Sequence, residues 1–243
     1  MELRGRAALV TGAGRRLGQA IAVGLARAGC DVAVHYHGSR EGAMTTADQI
    51  RQAGRRAQLL ETDLRDPVAA RGLADRAVDT FGHLDVVVNS AAILVHQPVE
   101  AVTPESWDDT LNLNLRASFF VAQGAIPHLR AARGKIVNVA DVAAFEVWAG
   151  YVPHCISKAG VVMLTRALAR TLAPDITVNA VAPGPVLLPD AWDAATRDRI
   201  AATTPLGRVG EPDDVVRAVR FLLEGSDFIT GTVLVVDGGR LVR

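Results

Sequence analysis

Short apolar runs alternate with helical patterns along the whole chain, and this alternation limits the fold more than any single residue does. Seven segments read as strands: Arg6 to Thr11, Asp31 to His37, Ala57 to Glu61, Leu84 to Val88, Lys135 to Val139, Thr177 to Ala182 and Gly231 to Gly239. Leu84 to Val88 is an apolar run rather than an in-and-out alternation, the pattern of a parallel strand covered on both faces. Helical patterns fill the intervals. Leu17 to Ala28 sets Ile21, Leu25 and Ala28 at helical spacing. Further helices are expected over Glu41 to Ala53, from near Pro67, over Pro104 to about Ala132, from Pro153 through Lys158 toward Leu172, and over Pro212 to Leu223. The alternation argues an α/β architecture: a doubly wound parallel sheet of seven strands with helices on both faces. At 243 residues the chain suits one well-buried domain, residues 1–243, better than two.

Composition excludes several classes of function. Apolar residues make up 49% of the chain but aromatics only 5%, so the core should be aliphatic. Twenty-six basic residues balance twenty-six acidic ones, which gives no electrostatic case for nucleic acid. No apolar run reaches membrane-spanning length, and no signal-peptide core follows Arg4 and Arg6. The two cysteines, Cys30 and Cys155, show no metal or redox spacing, and free thiols fit a reducing cytoplasm. The expected partner is a small-molecule substrate.

The first strand runs into TGAGRRLG, Thr11 to Gly18, at the start of a helix. Glycines let the backbone approach a pyrophosphate, and helix N–H groups and dipole favour its charge. Gly12, Arg15, Arg16, Leu17 and Gly18 are the candidate contacts. A cation at a helix start is mildly unfavourable unless an anion answers it, so Arg16 favours a phosphate partner over a plain surface role. The second strand ends His35, Tyr36, His37, then Gly38, Ser39, Arg40. No acid stands there to hold a ribose 2′-hydroxyl, while Arg16, Ser39, Arg40 and the imidazoles can donate to a 2′-phosphate. The expected cofactor is therefore NADP(H). His35 and His37 lack a third ligand at plausible spacing, so no metal site is expected.

The stretch from Asp141 to Lys158, DVAAFEVWAGYVPHCISK, links a strand end to a helix. Pro153 suits the first helical position, and His154 and Lys158 then lie one turn apart on one face. Asp141 sits at the strand's carboxyl end, where open α/β sheets place their ligands. A carboxylate, an imidazole and an ammonium thus converge on one crevice.

These motifs together resemble the short-chain dehydrogenase/reductase family, and the TGxxxRxG form at Thr11 to Gly18 resembles its pteridine reductase-like branch. Gly12 and Gly18 match, and Arg16 replaces the middle glycine. Lys158 matches the family lysine, Asp141 stands at the serine position as in that branch, and His154 stands where the family has tyrosine. The resemblance implies strand order 3-2-1-4-5-6-7. It implies that Asp63 contacts adenine with help from the Leu64 backbone, although Asp63 equally suits the cap of the helix near Pro67. It implies cofactor contacts at Asn89, Ser90 and Ala91, at Lys158, and at Pro183, Gly184 and Val186. Asn114 corresponds to the asparagine that supports a water relay beneath the lysine, with structural satisfaction as the other explanation. Leu94 stands where the branch has an aromatic ring, and Tyr151 is close enough to orient substrate. Pro185 to Thr204 is expected to be a lid at about 185–204 with a short helix around Ala191 to Ile200. The helices at Pro104 to Ala132 and around Lys158 imply a homotetramer or homodimer.

The activity implied is NADPH-dependent transfer of hydride to a carbonyl or C=N bond, with His154 supplying the proton in place of tyrosine. A neighbouring ammonium opposes an imidazolium, and Asp141 within reach favours it. Two alternatives stand beside the pteridine reading. One is a 3-oxoacyl thioester or ketone reductase, which Leu94 allows. The other is an NADPH-binding protein impaired in catalysis by the loss of tyrosine.

Overall fold

The computed structural model describes residues 1–188 and 193–242. Seven strands form one sheet: β1 (Ala7–Val10), β2 (Asp31–Tyr36), β3 (Ala57–Glu61), β4 (Val86–Asn89), β5 (Lys135–Val139), β6 (Thr177–Pro183) and β7 (Val233–Val236). Their order is β3-β2-β1-β4-β5-β6-β7, every pair parallel, as expected. The direction of winding reverses between β1 and β4. A crevice opens at such a reversal, at the carboxyl ends of the strands.

Helices cover both faces. One core holds Ala8 and Val10 of β1 together with side chains of α1 (Arg16–Arg27), α2 (Arg40–Gln52) and α9 (Pro212–Glu224). The other holds Ala7 and Leu9 with α3 (Pro67–Arg71), α4 (Leu73–Phe81), α6 (Ala117–Ala132) and α7 (Val152–Leu172). Alternate residues of β1 therefore feed opposite cores, which is why the strand tolerates no polar side chain.

The differences from the expected elements have local causes. β4 starts at Val86, and the carboxylate of Asp85 just before it accepts from Ala7 N at 2.9 Å, Arg6 Nη1 at 2.7 Å and the His83 ring at 2.6 Å. The helix at Pro67 is capped by Asp66, whose Oδ1 accepts from Val68 N at 2.8 Å, and not by Asp63. The long helix expected from Pro104 is broken. α5 (Pro104–Leu111) passes into a π-helical turn at Asn112–Arg116 before α6 begins. Such widened turns hold one residue out of register and occur often at functional sites; Asn114 is in this one. The helix expected around Ala191 to Ile200 is α8 (Ala194–Thr203), the expected start lying outside the described residues. Among the described residues no helix is long and apolar enough to cross a membrane.

Gly124 sets how closely α6 approaches α3. A Cβ there would lie 1.9 Å from the Arg71 carbonyl oxygen, a backbone atom that cannot rotate away. Gly124→Ala is expected to cost about 1–3 kcal/mol through forced separation of the two helices. It should lower the urea midpoint with little change in slope. A wild-type midpoint would show that the contact is not a constraint.

Candidate active site

The crevice at the reversal is a cleft of about 1080 Å³. At one end the TGAGRRLG turn meets β4. Gly12 has φ +65°, and a Cβ on it would lie 2.8 Å from Ala91 Cα. A Cβ on Gly18 would lie 2.3 Å from Gly12 O. Thr11 Oγ1 accepts from Ser90 N at 2.9 Å and Ala91 N at 3.1 Å, fastening the turn to the strand end. Arg15 at the N-cap of α1 makes no side-chain cap, and the first turn holds no acid. Free N–H groups, an unanswered dipole and close-packed glycines form a cradle that fits a pyrophosphate.

Arg16 takes φ +52°, a left-handed conformation that glycine adopts freely. Its Nη2 donates across the cleft to Leu187 O. Arg16 therefore lines the cleft, as expected, but one of its N–H groups is committed to the opposite wall. Arg15, Leu17 and Gly18 line it as well.

At the end of β2, His35 and Tyr36 line the cleft as expected, but their polar atoms are engaged within the protein. His35 is buried, and both ring nitrogens are engaged: Nδ1 accepts from Gly12 N at 3.1 Å and Nε2 donates to Thr62 O at 3.0 Å. It shapes the turn and has no N–H left for a phosphate. Tyr36 is buried with its hydroxyl on Glu61 Oε2 at 3.1 Å. Arg40 is not in the cleft lining; its Nη1 lies 3.4 Å from the same Glu61 oxygen. No acid stands at the carboxyl end of β2, but register brings Glu61 of β3 opposite Tyr36, a pairing that sequence order hides. His37 and Ser39 do line the cleft. Asp63 and Leu64 also line it, and hydrogen bonds from Arg65 hold the Asp63 carboxyl below its ordinary range.

At the other end Lys158 is fully buried, and its Nζ donates to Val139 O at 2.8 Å. Burial pushes its ammonium down from the ordinary value, and Asp141 opposes that. His154 is 4% exposed. Its Nδ1 lies 3.3 Å from Ile93 O and 3.5 Å from Asn114 Nδ2. The two Asn114 N–H groups already have better acceptors, Ile93 O at 3.0 Å and Ser157 Oγ at 3.1 Å. The consistent assignment is Nδ1–H donating to Ile93 O, which leaves Nε2 as the atom that gains or loses a proton. Among the described residues Nε2 has no hydrogen-bond partner, and it lies 3.8 Å from Asp141 Oδ2. The expected Asp141–His154 pair is thus an ion-pair contact longer than a hydrogen bond, because Asp141 Oδ1 also caps the next turn at Ala143 N, 2.9 Å away.

Asn114 lies outside the cleft lining. Its amide grips both backbone groups of Ile93, with Oδ1 accepting from Ile93 N at 2.8 Å. This is structural satisfaction that also steadies the carbonyl under His154. Asn89 is another correction: it is buried off the cleft, donating to Asn138 Oδ1 at 2.9 Å, and Asn138 donates to Thr165 Oγ1 at 2.9 Å. That polar chain ties β4, β5 and α7 beneath the site. Ser90, Ala91, Leu94, Tyr151, Pro183, Gly184 and Val186 all line the cleft.

Sequence reasoning missed Trp148, Arg199 and Arg240, all on the cleft wall. The Trp148 indole lies nearly parallel to the His154 ring, at 13° with centroids 6.1 Å apart. A lone tryptophan six residues before His154 was the available signal. Arg240 follows the last strand, where nothing local marks it. Arg199 shares one face of α8 with Thr196 and Ile200.

The chain matches the family model described as enoyl-(acyl carrier protein) reductase over residues 12–240. It is 39% identical to a hydroxynaphthalene reductase-like protein of Metarhizium majus, covering 98% of this chain and 95% of that one. It is 36% identical to 2-dehydro-3-deoxy-D-gluconate 5-dehydrogenase of Escherichia coli, covering 99% and 97%. A versicolorin reductase of Emericella nidulans is 38% identical over 98% and 96%. Among solved structures, a short-chain dehydrogenase/reductase variant from Serratia marcescens superposes with TM-score 0.92 at 33% identity over 100% of both chains. A blue fluorescent protein from a metagenomic library, in complex with NADPH, gives 0.91 at 33% identity over 99% of each.

Burial holds His35 neutral, pushing it from 6.5 down to about 4. Between those values the unfolded chain takes up a proton that the folded chain refuses, so this stability is full above 6.5 and drains as pH falls toward about 4. Urea unfolding of wild type and His35→Gln at pH 7.5 and pH 5 checks this. The wild-type advantage should shrink at the lower pH, and a constant gap would contradict it.

Proposed function

The chain belongs to the short-chain dehydrogenase/reductase family, and we propose that it is an NADP(H)-dependent reductase acting on a carbonyl or C=N bond of a flat, ring-bearing small molecule. The observation that carries this reading is the buried, unpartnered Nε2 of His154, on the cleft wall beside Asp141 and one turn from Lys158. When bound, the nicotinamide supplies the hydride.

The residues divide the remaining work. Gly12, Gly18 and the α1 N-terminus would hold the pyrophosphate with Arg15 and Arg16, and His37 and Ser39 the 2′-phosphate. In the reducing direction Nε2–H of an imidazolium releases its proton to the developing alkoxide or amide nitrogen. Nδ1–H stays on Ile93 O, which fixes the ring. The Asp141 carboxylate attracts the charged ring, and the Lys158 ammonium repels it and so favours proton release. Lys158 would hold the nicotinamide ribose. α8 would close over the substrate as a lid.

Leu94, Trp148 and Tyr151 on the wall support a flat ring as substrate. Asp141 and Arg16 favour a pteridine, and Trp148 supplies an aromatic face that Leu94 lacks. The names of the hydroxynaphthalene reductase-like and versicolorin reductase relatives favour a polycyclic aromatic ketone. Exposed Trp107, Phe119, Ile156 and Met163 on α5, α6 and α7 support a homotetramer or homodimer through these helices. The unbridged Cys30 and Cys155 fit a cytoplasmic setting.

NADPH oxidation with dihydrobiopterin, a hydroxynaphthalene substrate and an acetoacetyl thioester separates the substrate classes, and the ring compounds should turn over fastest. His154→Ala should lower kcat about 10²- to 10⁴-fold while NADPH still binds. Unchanged turnover would overturn the assignment of the proton donor. NADPH should bind more tightly than NADH in isothermal titration, and the reverse order would overturn the cofactor assignment.

A further inference from the structure

The turn between β5 and α7 is held by a contact that reaches the far end of the chain. Glu146 Oε1 accepts from Trp148 Nε1 at 2.6 Å and from Arg240 Nε at 3.2 Å. Both ionic partners are largely shielded, with side-chain exposures of 26% and 22%, so the pair is less weakened by salt than a surface pair. Arg240 is itself anchored. It lies in a short C-terminal turn that Asp237 pins by accepting from Gly239 N and Leu241 N, each at 2.8 Å. On its other side the indole meets Tyr151 edge-on at 6.0 Å, and Tyr151 meets His96 edge-on at 5.0 Å. The segment around Trp148 contains Ala149 and Gly150 and has no regular structure to orient a ring.

We propose that Glu146 is a positioning residue for the reaction: by gripping Trp148 and Arg240 together it holds the indole parallel to the His154 ring. The proposal rests on reading His154 as the proton donor. An indole face beside a cationic ring is attractive, so the clasp favours the imidazolium that donation requires. It also makes the segment after β7 part of the active-site wall. The titrating or charged groups around His154 are Asp141 from the end of β5, Lys158 one turn on in α7 and, through Trp148, Tyr151 and the Glu146–Arg240 pair. Asn114 and Ile93 face it without titrating.

The test reads the indole directly, without cofactor. A neighbouring imidazolium quenches indole emission more than neutral imidazole does. In a Trp107→Phe, Trp192→Phe background, Trp148 emission should fall in a step on acidification, and His154→Ala should abolish the step. Glu146→Ala should lose most of the step and lower kcat about tenfold, with KM for NADPH unchanged. Glu146→Gln keeps an acceptor for the indole N–H and should restore most of the step. Glu146→Ala with the full step, or with wild-type kcat, overturns the proposal, as does a step that survives in His154→Ala. If His154→Ala instead loses the step but keeps wild-type turnover, the proton-donor reading fails while the emission of Glu146→Ala still reports the clasp.

Discussion

A fully buried ammonium needs an answer, and at Lys158 the answer is one backbone carbonyl and one carboxylate at longer range. Desolvating such a charge is costly unless hydrogen bonds and an opposite charge compensate. Val139 O is available because β5 ends there, and Asp141 is in place because it caps the turn that follows. The site thus follows from a strand ending two residues before an acid and one helical turn of α7. His154 inherits its surroundings from that arrangement. It shares the carboxylate with Lys158, and its other nitrogen rests on a carbonyl that Asn114 holds still.

Much of the fold was legible because it is written in local patterns. Apolar stretches such as Val86 to Val88 within the expected strand Leu84 to Val88, and the glycine turn at Gly12, each carry their reason within a few residues. Strand order followed from family likeness, since alternation alone does not give it. What escaped was fixed by partners distant in sequence. Glu61 meets Arg40 only through the register of β3 on β2, and the two nitrogens of His35 are claimed by Gly12 and Thr62. Asn89 looked like a cofactor contact from its place at a strand end, but the inward side of the pleat turned it toward Asn138. The π turn at Asn112–Arg116 left no mark in the helical spacing around it.

His154 and Arg16 both depart from the family pattern, and each departure carries a compensating contact. Histidine in place of tyrosine brings a ring with two nitrogens, and the protein fixes one with Ile93 while leaving the other unpartnered. The indole of Trp148 lies nearly parallel to that ring, with centroids 6.1 Å apart. A tyrosine would need neither a tautomer nor a charged state to be specified, so the surroundings of residue 154 are more elaborate than the substitution alone suggests.

Arginine in a left-handed backbone costs about 1–3 kcal/mol, and such strain persists only where surrounding structure holds it. At Arg16 the compensation is its contact with Leu187, on the opposite bank of the cleft. Peptide geometry on one side and the span of the groove on the other are thereby yoked: when the guanidinium lets go, the backbone loses the partner that offsets its torsion. One guanidinium thus joins the torsion of the glycine turn to the far bank of the groove.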